Sequence, residues 1–145
     1  VTADGVVELE IPARPEYLHL ARQIIATAAA LDPRLRDERI EDLRLLVSEA
    51  ATNAIEAYVR GSAADRILLR CNLVEDRVDV EILDRAGGFD VSRPVASTHR
   101  RDGDDELPER GFGLPLMRLL ADETAITSDD GGTTVRLTVY TTRRP

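Results

Sequence analysis

The chain has 145 residues, 43% of them hydrophobic and 32% charged, a composition that suits one globular domain spanning 1–145 with no need of a second. A net charge of −8, no tryptophan and 3% aromatic residues argue against a nucleic-acid partner, because such affinity comes from clustered Lys and Arg and from rings that stack on bases. No apolar run approaches the roughly 18 residues of a membrane span, and the N-terminus lacks the basic and apolar regions of a signal peptide, so the expectation is a cytoplasmic protein away from the membrane.

Val7, Leu9 and Ile11 alternate with Glu8 and Glu10, the pattern of a half-exposed strand. A helix is expected from about Glu16, just after Pro15, to Ala30, stopping near Leu31-Asp32-Pro33. A second begins near Asp37 or Glu38, carries Ile40, Leu43, Val47, Ala50, Ala54 and Tyr58 at spacings of three and four, and ends at Gly61. Arg66 to Val74 and Arg77 to Asp84 form a hairpin through Glu75-Asp76. The single cysteine, Cys71, alternates with Ile67, Leu69 and Leu73, so it is read as a core residue, and no disulfide can form within the chain.

Residues 91–110 hold Pro, Ser, Gly and a dense charge cluster with almost no apolar pattern, the composition of a long mobile loop. Leu114 to Asp122 reads as a short helix, and Thr124 to Ser128 with Thr133 to Tyr140 as a last hairpin around Asp129-Asp130-Gly131-Gly132. Two helices ahead of antiparallel strands that take a helix between them give an α+β fold: a two-layer α/β sandwich, its mixed, mainly antiparallel sheet carrying helices on one face.

Four segments of this chain carry chemistry. Glu49 and Asn53 are four apart and project from one side of the second helix, a turn from each other. An amide oxygen is a hard neutral ligand suited to Mg²⁺, and a carboxylate one turn away can orient or deprotonate a nucleophile. The plain alternative is a solvated polar stripe, although Ala50, Ala51, Ala54 and Ala57 leave room for a close neighbour. Asp84 continues the apolar face of Val78, Val80 and Ile82, and an inward carboxylate needs a donor, since burying it unpaired costs roughly 1–3 kcal/mol or more. An adenine amino group is such a donor; alternatively Asp84 opens a turn with Gly87-Gly88.

Gly111 and Gly113 precede the short helix, whose first N–H groups form an anion site, and Arg110 can add a charged contact to phosphate. This spacing is neither a P-loop nor a dinucleotide fingerprint. Thr133 follows Gly131-Gly132, where a hydroxyl can bond a base or simply serve the hairpin. Net acidity does not exclude a single triphosphate, which a divalent cation and backbone N–H groups can neutralise locally.

Taken together, Ser48-Glu49-Ala50-Ala51-Thr52-Asn53-Ala54-Ile55, Asp84-Arg85-Ala86-Gly87-Gly88-Phe89, Arg110-Gly111-Phe112-Gly113-Leu114 and Gly132-Thr133-Thr134-Val135 resemble the four boxes of the GHKL (Bergerat-fold) ATPases. Within that group the chain is similar to the compact anti-sigma-factor serine kinases of the RsbW and SpoIIAB type. The resemblance implies ATP and Mg²⁺ as cofactors, with Asn53 on the metal, Glu49 as base toward a serine or threonine of a partner and Asp84 on the adenine amino group. It further implies that Gly88, Gly111 and Gly113 shape the phosphate pocket, that 91–110 is the ATP lid and that Thr133 supports the base. The implied partners are an anti-sigma-factor antagonist of the STAS type, which would be phosphorylated, a sigma factor, which would be sequestered, and a second copy in a homodimer; Arg22 falls near a position used for partner contact. The chain departs from the family pattern at Ala86, where glycine is usual, and at Glu56-Ala57, where a basic residue often stands. A non-catalytic or merely ATP-binding sigma-factor or antagonist module of the same fold is the alternative. A detached histidine-kinase ATP domain would need a phosphoacceptor histidine, and His19 lacks the acidic neighbour and following proline of such a site.

Overall fold

The structure, a computed structural model, describes residues 5–58, 65–85, 113–129 and 131–141. Its elements are β1 (Gly5–Pro12), a 3₁₀ turn (Pro15–Tyr17), α1 (Leu18–Ala29), α2 (Asp37–Ala57), β2 (Arg66–Val74), β3 (Arg77–Asp84), α3 (Gly113–Leu120), β4 (Glu123–Asp129) and β5 (Gly132–Tyr140). The strands form a five-stranded sheet in the order β1-β2-β3-β5-β4, and every described pairing is antiparallel, so the mainly antiparallel expectation holds in its stronger form.

Alternation decides which face of the sheet meets the helices. Ile67, Leu69, Cys71 and Leu73 on β2, Val78, Val80 and Ile82 on β3, and Val135, Leu137 and Val139 on β5 are all buried and share one core with α1 and α2. Each large aliphatic side chain so buried stabilises the fold by roughly 1.5–3 kcal/mol relative to exposure. Cys71 belongs to this core, and burial pushes its thiol up to about 12, which keeps it protonated and unreactive. No described helix is long and apolar enough to cross a membrane.

Helix α2 opens on Asp37 and Glu38, whose negative charges suit the positive end of the helix dipole. It buries Leu43, Leu46, Val47, Ala50, Ala51 and Ala54, and its alanines let the sheet come close along its C-terminal half, where it packs on β3, β5 and α3. The helix ends at Ala57, earlier than the Gly61 expected from spacing. Tyr58 has left helical geometry at φ −81°, ψ 76°, its N–H bonds to the Ile55 carbonyl, and its hydroxyl is engaged by the strands. Residues 59–64 lie outside the described residues, as do the 91–110 loop and Asp130.

The opposite face of the sheet is charged. Arg70 bonds to Glu8 at 2.8 Å and lies 3.8 Å from Glu81, while Asp79 accepts from Arg136 at 2.8 Å, Thr138 at 2.7 Å and Arg77 at 3.2 Å. Burial alone would raise the Asp79 pKa, but the hydrogen bonds from Arg136, Thr138 and Arg77 and the charge of Arg136 outweigh it and hold the carboxyl below the usual range. A titration argument alone would flag Asp79 as a site residue, yet it lies on the face away from the helices, and its role is to knit β3 to β5.

Candidate functional site

The helix-facing side of the sheet is apolar apart from Thr124 on β4 until its last row, where it turns polar on three neighbouring strands. Asp84 at the end of β3 stands directly opposite Thr133 on β5, and Thr133 opposite Ser128 on β4. The Ser128 and Thr133 hydroxyls are 3.0 Å apart. Asp84 is 6% exposed and Thr133 2%, so the inward direction expected of Asp84 from two-residue alternation is the observed one.

Above this row runs α2. Asn53 lines a pocket with Asp84 and Thr133, and Ala50 and Ala54 complete the helical wall with side chains too small to fill it. Ile82 and Val135 supply the apolar sheet side, and Ile126 and Met117 enclose the rest. The pocket thus has the make-up of a ligand site, mostly apolar with a few convergent polar groups. Its free volume is about 20 Å³, room for about one water, and the Met117 side chain, 1% exposed, is part of what narrows it.

Glu49 sits one turn before Asn53 on α2, half-buried and outside the lining of this pocket. Gly113 is the first residue of α3, one position ahead of the helix start expected at Leu114. Gly88, Arg110 and Gly111 lie outside the described residues, as does Ala86. Arg22 is placed elsewhere. It projects from α1 into an open cleft with His19, Arg44 and Leu45, and its guanidinium is 3.5 Å from the Ser48 hydroxyl on α2.

Among the described residues no group of three or more His, Cys, Asp or Glu is gathered to hold a metal. The donor set around the pocket suits Mg²⁺ in a different way. That ion keeps most of its shell as water and phosphate oxygen and needs only one or two hard oxygen ligands from the protein, such as the Asn53 amide.

Sequence patterning missed three parts of the site. Met117 belongs to a short helix whose docking is purely tertiary. Helical spacing makes Tyr58 one more apolar position of α2, whereas its hydroxyl accepts from the Arg85 N–H at 2.9 Å and donates to the Arg66 carbonyl at 2.8 Å. Gly132, a hairpin glycine that also opens the fourth box of the resemblance, packs against Asp84, which the sequence does not show: its φ is 136°, and a β-carbon there would stand 1.9 Å from the Asp84 carbonyl oxygen.

Comparison with known proteins adds a family to this geometry. The model of the histidine kinase-like ATPase domain matches residues 11–139. A serine-protein kinase RsbW of Bacillus pumilus is 33% identical over 146 residues, covering 95% of this chain and 87% of the relative. The serine-protein kinase RsbW of Bacillus subtilis is 34% identical over 140 residues, covering 92% and 84%. Among solved structures, the RsbU and RsbW domains of a Mycobacterium tuberculosis protein superpose with a TM-score of 0.68 at 20% identity, over 93% of this chain and 31% of that one. A blue-light-activated histidine kinase domain of Erythrobacter litoralis does so at 0.55 and 19%, over 89% and 61%. At these identities the two structural likenesses bear on the fold alone.

Proposed function

This chain belongs to the histidine kinase-like ATPase domain family and, within it, to the RsbW serine-protein kinases, and we propose that it is an ATP-dependent serine/threonine kinase that acts as an anti-sigma factor. The single observation that carries the site assignment is the pocket itself: Asn53 from α2 and the buried pair Asp84 and Thr133 from the sheet converge on one space, from segments far apart in sequence.

In this reading Asp84 accepts the adenine amino group, with Thr133 fixing the carboxylate side of the pocket through its row with Ser128. Asn53 provides an amide oxygen to Mg²⁺. When bound, ATP would supply the γ-phosphoryl group with ADP as the leaving group, and Mg²⁺ would neutralise charge on the phosphate oxygens. Glu49, one turn away on α2 and outside the closed pocket, takes the proton from the partner's attacking hydroxyl. Phosphoryl transfer depends chiefly on positioning and charge neutralisation, which is why so few side chains suffice. Gly88, Arg110, Gly111 and Gly113 complete the phosphate cradle, and 91–110 acts as the lid. The closed pocket has less room than a purine needs, and the Met117 side chain is the part of its wall that a bound base would displace.

The phosphoryl acceptor is a serine or threonine of an anti-sigma-factor antagonist of the STAS type, and the unengaged kinase sequesters a sigma factor in the cytoplasm as a homodimer, with Arg22 on the partner-facing side of α1. The test is incubation of the purified protein with labelled ATP, Mg²⁺ and a candidate antagonist. Label should reach the antagonist with the native chain and drop by at least a hundredfold with Glu49→Ala, within the range general-base catalysis contributes. Full transfer by the variant would contradict the role given to Glu49, and no transfer by the native chain the kinase reading itself.

A further inference from the structure

Tyr58 ends α2 at the point where the ladder between β2 and β3 comes apart. The last paired residues there are Leu68 and Leu83, and continuing that register sets Arg66 opposite Arg85. The Asp65 carbonyl accepts from Ala13 on the β1 side, so by the alternation of a strand the next carbonyl, that of Arg66, points toward β3. Its natural partner across the fork is the Arg85 N–H. In place of that rung stands the phenol of Tyr58, whose Oη accepts from the Arg85 N–H at 2.9 Å and donates to the Arg66 carbonyl at 2.8 Å. One hydroxyl thus bridges the two backbone groups across the fork, and it does so on the residue next to Asp84.

Asp84 is held from the other side as well. Gly132, at φ 136°, brings its backbone so near the Asp84 carbonyl and the Arg85 Cα that no side chain fits between them. The strand end carrying the buried carboxylate is therefore gripped between a glycine of β5 and a hydroxyl from α2, the helix that also carries Asn53. Tyr58 thereby fixes the helical wall of the pocket to the strand end that carries Asp84.

We propose that Tyr58 is a positioning residue for base recognition: its hydroxyl sets the height of Asp84 in the pocket, so that the carboxylate meets the exocyclic donor of an adenine ring and discriminates against a purine with an acceptor at that place. The inference rests on the reading of Asp84 as the base acceptor given above. It assigns Tyr58 no contact with the nucleotide.

The experiment titrates ATP and inosine triphosphate, each with Mg²⁺, into the native protein and into Tyr58→Phe, Asp84→Asn and the double variant, after a thermal melt has verified that each is folded. The native chain should prefer ATP. Tyr58→Phe should weaken ATP by roughly threefold to tenfold, as expected for one displaced hydrogen bond, and leave inosine triphosphate unchanged. In the Asp84→Asn background the same change should have little further effect, because the group it positions is already altered. A native chain with no preference for ATP would remove the reading on which the inference stands. A native preference that survives undiminished in Tyr58→Phe, or an equal loss for both nucleotides, would overturn the role of Tyr58 while leaving that reading in place.

Discussion

Gly132 lies against the backbone of Asp84 so closely that a β-carbon on it would stand 1.9 Å from the Asp84 carbonyl oxygen and 2.7 Å from the Arg85 Cα. Its φ of 136° is one that side chains disfavour, so space and conformation make the same demand. Gly132→Ala should cost about 2–4 kcal/mol, combining backbone strain with a displaced strand end. Gly131→Ala, whose β-carbon would meet only the Asp129 carboxylate at 3.2 Å, should cost less than half as much. Urea denaturation of the two variants side by side checks the difference, and equal losses would contradict it.

Arg39 latches α2 to the far end of α3. It donates to Asp42 at 2.6 Å, to the Leu120 carbonyl at 3.1 Å and to Asp122 at 2.9 Å, and Asp122 in turn accepts from the Tyr140 N–H at 2.7 Å. Arg39→Ala should therefore lower stability by about 1.5–3 kcal/mol, the range for hydrogen bonds to charged groups. Arg39→Lys should recover only part of it, because a single ammonium cannot reach three acceptors as a planar fork does. Thermal melts of both variants are the measurement.

Acid should loosen the fold through its depressed carboxylates. The Arg34 side chain and backbone N–H hold the Asp32 carboxyl below the usual range, and Asp79 is held there against its burial by Arg136, Thr138 and Arg77. A carboxyl whose folded pKa is depressed gives stability that is fully present above its unfolded value, about 3.9, and is lost as pH falls through the folded one. Asp79→Asn should then be less stable than the native chain at pH 7, and the gap should narrow steadily below about pH 4. A gap independent of pH would remove the charge from the account of that cluster.

Much of this molecule was legible in its sequence, for reasons tied to period. The hairpin of Arg66–Val74 with Arg77–Asp84 has its observed bounds because Ile67, Leu69, Cys71 and Leu73 alternate without a break and Glu75-Asp76 interrupts them. The same alternation put Asp84 on the inner face, whereas helical spacing paired Asn53 with Glu49 and did not show that Asn53 lines the pocket and Glu49 does not. What escaped was tertiary. At the end of α2, Tyr58 leaves helical geometry and its hydroxyl bonds to strand residues that follow it in the chain, which no local pattern encodes. Likewise Met117 narrows the pocket through the docking of α3 on α2, to which Arg39 contributes from 81 positions before the Leu120 carbonyl it binds.

Asp84 as the acceptor for a purine is the claim everything else in the site depends on, and calorimetry of ATP binding in the presence of Mg²⁺, on the native chain and on Asp84→Asn, addresses it directly. The native protein should bind, and the substitution should weaken binding by about tenfold or more, the effect of leaving one good base contact unmade. Native protein that gives no heat with ATP, or a variant that binds as tightly as the native chain, would contradict the account.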